Sequence, residues 1–162
     1  MPGWRVLGIN AQLLGSDLDE AQAQDHAIEA AVATLGPRRL ALFVHKPLFD
    51  QTPEEAEITG RFINPTPRRH LLGRLGEARL ALVACGHVHQ FRETTAGGAR
   101  HVWCPSTGFT VPDHRQPRYG LKQVGYVEHA LREDGSHASR LVRVPGVLDL
   151  DIGDFPGAYG PM

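Results

Sequence analysis

Two cysteines in 162 residues are too few for a disulfide scaffold. Cys85 and Cys104 both sit in apolar, strand-like stretches, the setting of buried, reduced thiols. Neither sign of charge is in excess. The formal net charge is −1, and no basic face stands out to favour a nucleic-acid partner. The arginine pairs Arg38-Arg39 and Arg68-Arg69 are short and read as solvated helix ends, not as a phosphate track. No apolar run approaches the ~20 residues of a membrane-spanning helix. The N-terminal Met1-Pro2-Gly3-Trp4-Arg5 lacks the basic-then-apolar layout of a signal peptide, so the cytoplasm is the default location. There is no internal repeat. The remaining composition, 41% apolar and 22% charged, is that of an ordinary globular chain whose length suits one domain.

Strand-like and helix-like stretches alternate, which predicts an α/β fold. Trp4 to Ile9 reads as a strand and residues 10–16 as a loop. Asp17 and Glu20 fit a capping box ahead of a helix over 18–35, whose inward face would be Ala27, Ile28, Ala31, Val32 and Leu35. Gly36-Pro37 ends that helix, and His26 lies off its apolar stripe. Leu40 to Val44 is a buried strand. A long polar segment follows to about Pro67 and is read as a wall of a cleft. A second helix is expected over 68–77, with Leu71, Leu72 and Leu75 inward and His70 outward. Leu80 to Cys85 is a second buried strand. Residues 91–95 and 99–103 flank Gly97-Gly98 as a hairpin, with His101 a packed strand histidine. After a loop over 105–119, in which Asp113, His114 and Arg115 could face a cleft, residues 124–129 and 140–144 suggest two more strands around Asp134-Gly135. From Pro145 the chain reads as an extension carrying Asp149, Asp151 and Asp154.

The chemistry gathers where the two buried strands end. Val44 is followed by His45, and Cys85 by Gly86-His87-Val88-His89. Gly86 is read as the residue that turns the backbone. Strands fix the backbone and the loops beyond them aim imidazole nitrogens into a cleft, a common way to build a metal site. His-x-His alone is weak. Nine histidines in this chain make about 0.5 such pairs by chance. Satisfied histidines at strand ends fit the spacing equally well.

Val44-His45-Lys46-Pro47-Leu48 and Cys85-Gly86-His87-Val88-His89 resemble the last two motifs of the calcineurin-like metallophosphoesterases. Those are a strand ending in His, often followed by x-Pro, and then Gly-His-x-His. The spacing of about forty residues, with a helix between, fits the family. So does the strand and small-residue loop from His101 to Gly108. The likeness runs from about Trp4 to Val144. It implies part of a four-layer α/β/β/α sandwich over residues 1–146, with 147–162 an extension. It implies two divalent metal ions (manganese, iron or zinc), His45 and His87 on one and His89 on the other, and a phosphate-ester substrate. Members of the family act on cyclic nucleotides, nucleotide diesters, phospholipid head groups and phosphoproteins.

The sequence departs from that pattern at its start. The family's Asp-x-His, Gly-Asp and Gly-Asn-His motifs have no counterpart here, so no catalytic residue can be carried over. Asn10 follows Gly8-Ile9 but ends a different strand, and Asp17 and Asp19 belong to a helix start. The chain therefore resembles the C-terminal half of such an enzyme. The expectation is a phosphoesterase of phosphodiester or phosphomonoester bonds, incomplete as these 162 residues and completed by an N-terminal half or by association with further copies. The alternative is a non-catalytic remnant that binds a metal or a partner protein. A weaker one is a mononuclear zinc hydrolase built on the three histidines.

Overall fold

The structure, a computed structural model, describes residues 1–76, 79–155 and 157–158. It is an α/β chain. Strands β1 (Trp4–Ile9), β2 (Arg39–Val44), β3 (Leu80–Cys85), β4 (Arg92–Ala96) and β5 (Ala99–Trp103) form one sheet in the order β1-β2-β3-β5-β4. The first four in that order run parallel and β4 is antiparallel. Helix α1 (Asp19–Ala33) crosses from β1 to β2, and α2 (Pro65–Leu75) crosses from β2 to β3.

Both crossovers step the same way across the sheet and lie on the same face. Ile28 of α1 and Leu71 and Leu75 of α2 share one core with Leu40, Leu42, Val44, Val83 and Cys85. The two central strands are buried on both faces, which explains their unbroken apolar sequences. The opposite face carries Trp4, Ala41, Leu82 and Val102. It is covered in part by an antiparallel ribbon of β6 (Tyr126–Leu131) and β7 (His137–Val142), whose Val127 and Leu131 pack on it. The described residues thus form three layers: helices, five-stranded sheet and ribbon.

Several expectations need correction. Helix α1 begins at Asp19 with Leu18 as an uncapped N-cap residue, so Asp17 and Glu20 form no capping box. A 3-10 turn at Ala11–Leu13 brings the Ser16 N–H back to the Leu13 carbonyl and delays the helix start. Asp19 and Glu20 instead favour the first turn through the helix dipole. The inward face includes Ala21, whereas Ala27 is exposed. Helix α2 starts three residues early, because Pro65 and Pro67 suit a first turn whose N–H groups would have no intrahelical acceptor. Its expected end at Glu77 lies outside the described residues. Arg68 is not a solvated helix end but is 1% exposed. Cys85 is buried, Cys104 is half-buried, and both are free thiols. The segment after Pro145 ties back to the body, with the Thr110 N–H donating to Leu150 O at 2.8 Å and the Val124 N–H to Asp149 Oδ1 at 2.7 Å. Residues 156 and 159–162 of that segment lie outside the described ones. Among the described residues no helix is long and apolar enough to cross a membrane.

Candidate functional site

Because β2 and β3 are parallel neighbours, their C-terminal ends open on the same edge of the sheet. The ladder continues one step beyond the strands, where the Gly86 N–H donates to His45 O at 3.0 Å. This contact holds the two strand ends side by side and brings two imidazoles together. His45 Nε2 lies 3.1 Å from His87 Nδ1, with ring centroids 4.8 Å apart in an edge-on arrangement.

The backbone between the histidines is unusual. The Val88 N–H donates to Gly86 O at 2.7 Å, closing a γ-turn centred on His87. His87 has φ +68° and His89 φ +54°, the only two non-glycine residues with positive φ among those described. Gly86 is not among the positive-φ glycines, so the left-handed turn falls on the histidines and not on the glycine read as its hinge. Such conformations cost roughly 1–3 kcal/mol each and persist where the surroundings impose them.

His87 Nε2 meets the carbonyl of Gly60 at 3.1 Å. Gly60 belongs to the long segment after β2, which here supplies a direct partner to a candidate ligand. Burial pushes His87 below the ordinary imidazole range, the Gly60 carbonyl opposes that, and His45, Lys46 and His89 add to the lowering. His89 is also lowered, first by burial, against a backbone contact from Phe109. Both are held in the neutral form that can donate a lone pair to a metal. His89 sits beside Phe109, with ring centroids 4.8 Å apart, and its buried Nδ1 has no hydrogen-bond partner.

Two nitrogens at about 2.0–2.1 Å from one ion are about 2.9–3.4 Å apart, so the His45–His87 spacing fits two donors to one ion. The orphaned Nδ1 of His89 is the kind of buried atom that calls for a further partner. The donor set is short, however. No group of three or more His, Cys, Asp or Glu able to hold a metal occurs among the described residues. The three histidines do not gather at one point, and no carboxylate joins them.

A cavity of about 580 Å³ opens on the second face of the sheet beside this edge. His45, Asn10, Phe43, Cys104, Val127 and His129 contribute to its mostly apolar wall. A smaller one of about 400 Å³ lies beside Gly60 and includes Gln12, Lys46, Thr59 and Asn64. Asp113 turns away to pair with Arg118 and Lys122, and His114 is exposed.

Sequence reasoning missed the residues that shape the loops around the pair. Gln90, fully buried, accepts from the N–H groups of Tyr119 and Gly120, both at 2.7 Å. Its amide donates to Pro117 O and to Gln116 Oε1, both at 2.9 Å. Its adjacency to His89 was the available signal. Arg68 holds the segment after β2 from within, and nothing in its sequence context distinguishes it from a surface arginine. A scan of protein-family models and a search of curated proteins find no match to the chain.

Proposed function

We propose that this chain carries the two-histidine side of a metal-dependent phosphoesterase centre. The observation that carries this reading is the 3.1 Å approach of His45 Nε2 to His87 Nδ1 at the shared end of two buried parallel strands. His45 and His87 would hold one divalent ion, manganese, iron or zinc, and His89 would serve a second. An ion bound there supplies Lewis acidity toward a phosphoryl oxygen and a lowered pKa for a bound water. The chain's own contribution is to favour the neutral form of the His87 imidazole and to fix its Nε2 proton on the Gly60 carbonyl. On this reading the bridging carboxylate and the catalytic His of the calcineurin-like metallophosphoesterase motifs would have to be supplied by groups other than these three histidines. The three layers described then form part of a four-layer α/β/β/α sandwich. The substrate is a phosphate ester.

The second reading is a non-catalytic module that binds a partner protein or a metal. It is favoured by the open, apolar cavity on the second sheet face and by the edge strand β1, whose Val6 is 48% exposed. Hydrolysis of bis(4-nitrophenyl) phosphate in the presence of Mn²⁺ separates the two. The enzyme reading expects metal-dependent turnover that His45→Ala and His87→Ala each abolish. A metal-loaded wild type silent on mono- and diesters supports the module instead.

A further inference from the structure

A carbonyl oxygen only accepts hydrogen bonds, so the nitrogen of His87 that faces Gly60 O must carry the proton. The neutral ring then leaves Nδ1 unprotonated. Without a metal, the 3.1 Å contact is made by the His45 Nε2–H donating to His87 Nδ1. One carbonyl in the long loop therefore sets the tautomer of both histidines.

That loop has no regular structure from 45 to 64, yet it is pinned at its centre by one side chain. The guanidinium of Arg68, on α2, donates through Nη1 to Leu48 O at 3.0 Å and to Ile63 O at 3.1 Å. Through Nε it donates to Pro53 O at 2.8 Å, and through Nη2 to Glu55 O. The Leu48 and Ile63 carbonyls lie on opposite arms of the loop, and the neck is closed by the Ile63 N–H donating to Pro47 O at 2.9 Å. On the outer arm the Glu55 carboxylate accepts from the N–H groups of Asp50 and Thr52, at 2.9 and 2.8 Å, and from Gln51. A charged side chain buried among four backbone carbonyls is expensive to place, and its geometry is that of a planar fork, which lysine cannot reproduce.

We infer that Arg68 is a positioning residue of the His45–His87 pair: it folds the 48–63 loop so that the Gly60 carbonyl fixes the His87 proton on Nε2. His87 is thus presented with a bare Nδ1 before any ligand arrives. His45 alone must move its proton to the other nitrogen when its Nε2 is engaged. The tautomer assignment stands without a metal, and only its consequence for affinity rests on the proposed metal-binding reading.

The test is long-range ¹H–¹⁵N correlation of the imidazoles in the metal-free full chain, with amide exchange across 48–63 and Zn²⁺ affinity measured on the same samples. The wild type is expected to show His87 as a single Nε2–H tautomer. Arg68→Met is expected to show mixed tautomers, faster exchange in the loop and about 10–100-fold weaker Zn²⁺ binding, with Arg68→Lys giving little rescue. Glu55→Gln loosens the same loop from its solvent side and gives the tautomer result if Arg68→Met does not fold. A wild-type His87 protonated on Nδ1 overturns the inference. So does a pure Nε2–H tautomer that persists in the loosened variants. A wild type that binds no Zn²⁺ sinks the metal reading and leaves the tautomer result to decide this one.

Discussion

At His87 two demands meet on one residue. The γ-turn needs positive φ, which glycine supplies freely, while the edge needs an imidazole. His87→Ala removes the imidazole and keeps the strain, whereas His87→Gly removes both. The glycine variant is expected to be more stable than the alanine variant by about 1 kcal/mol in urea unfolding, since neither retains the imidazole and only the backbone strain differs. Equal stabilities would mean that the backbone there is not strained. His101 makes a different prediction. Burial against Phe49 lowers its pKa to about 4, below the ordinary 6.5. The unfolded chain therefore binds a proton that the folded one refuses between those values. His101 leaves stability untouched above about pH 6.5 and takes away up to about 3 kcal/mol as the pH falls toward 4. His87, His89, His129 and His137 are lowered as well and tilt stability the same way. His101→Gln is expected to flatten the slope between pH 7 and 4.5, and an unchanged slope would contradict the assignment. The type of these residues was legible in the sequence, and His101 was read as a packed strand histidine. Their backbone state was not, because positive φ at a histidine leaves no compositional mark and the adjacent Gly86 was the obvious but mistaken hinge.

At the scale of elements, the buried strands were legible because residues enclosed on both faces leave an unbroken apolar run. Gly97-Gly98 gave the hairpin for a local reason: both glycines adopt positive φ in a two-residue turn. What could not be read was how the long loops fold. Their shape comes from single buried polar side chains whose partners are distant in sequence, as with Gln90 and residues 116–120. Gln90→Leu strands the N–H groups of Tyr119 and Gly120 and the carbonyl of Pro117. It is expected to cost about 2–3 kcal/mol in chemical unfolding and to speed amide exchange at 119 and 120. A variant as stable as the wild type would mean that the loop is held elsewhere. Two glycines give a contrast that needs no function. A Cβ at Gly120 would sit 2.4 Å from Phe91 O, whereas one at Gly86 would meet nothing within 4 Å. Gly120→Ala is expected to lose about 1–3 kcal/mol and Gly86→Ala to stay within about 0.5 kcal/mol of the wild type. A reversed order would contradict the packing described.

For the whole molecule, parallel neighbours with the same polarity bring His45 and His87 to one edge, and this follows from topology alone once β2 and β3 are adjacent. The order of strands made the pair foreseeable. The likeness to the family already assigns His89 to a separate ion, whereas the positive φ of that residue was not foreseeable. Whether the His45–His87 pair is a metal donor set is decided by metal content and affinity for Zn²⁺ and Mn²⁺ on the purified chain, beside His45→Ala and His87→Ala. At least one ion per chain, lost in both variants while the fold persists, is the expected result. No bound ion, or binding indifferent to both substitutions, would mean that the 3.1 Å contact is only a hydrogen bond between two imidazoles.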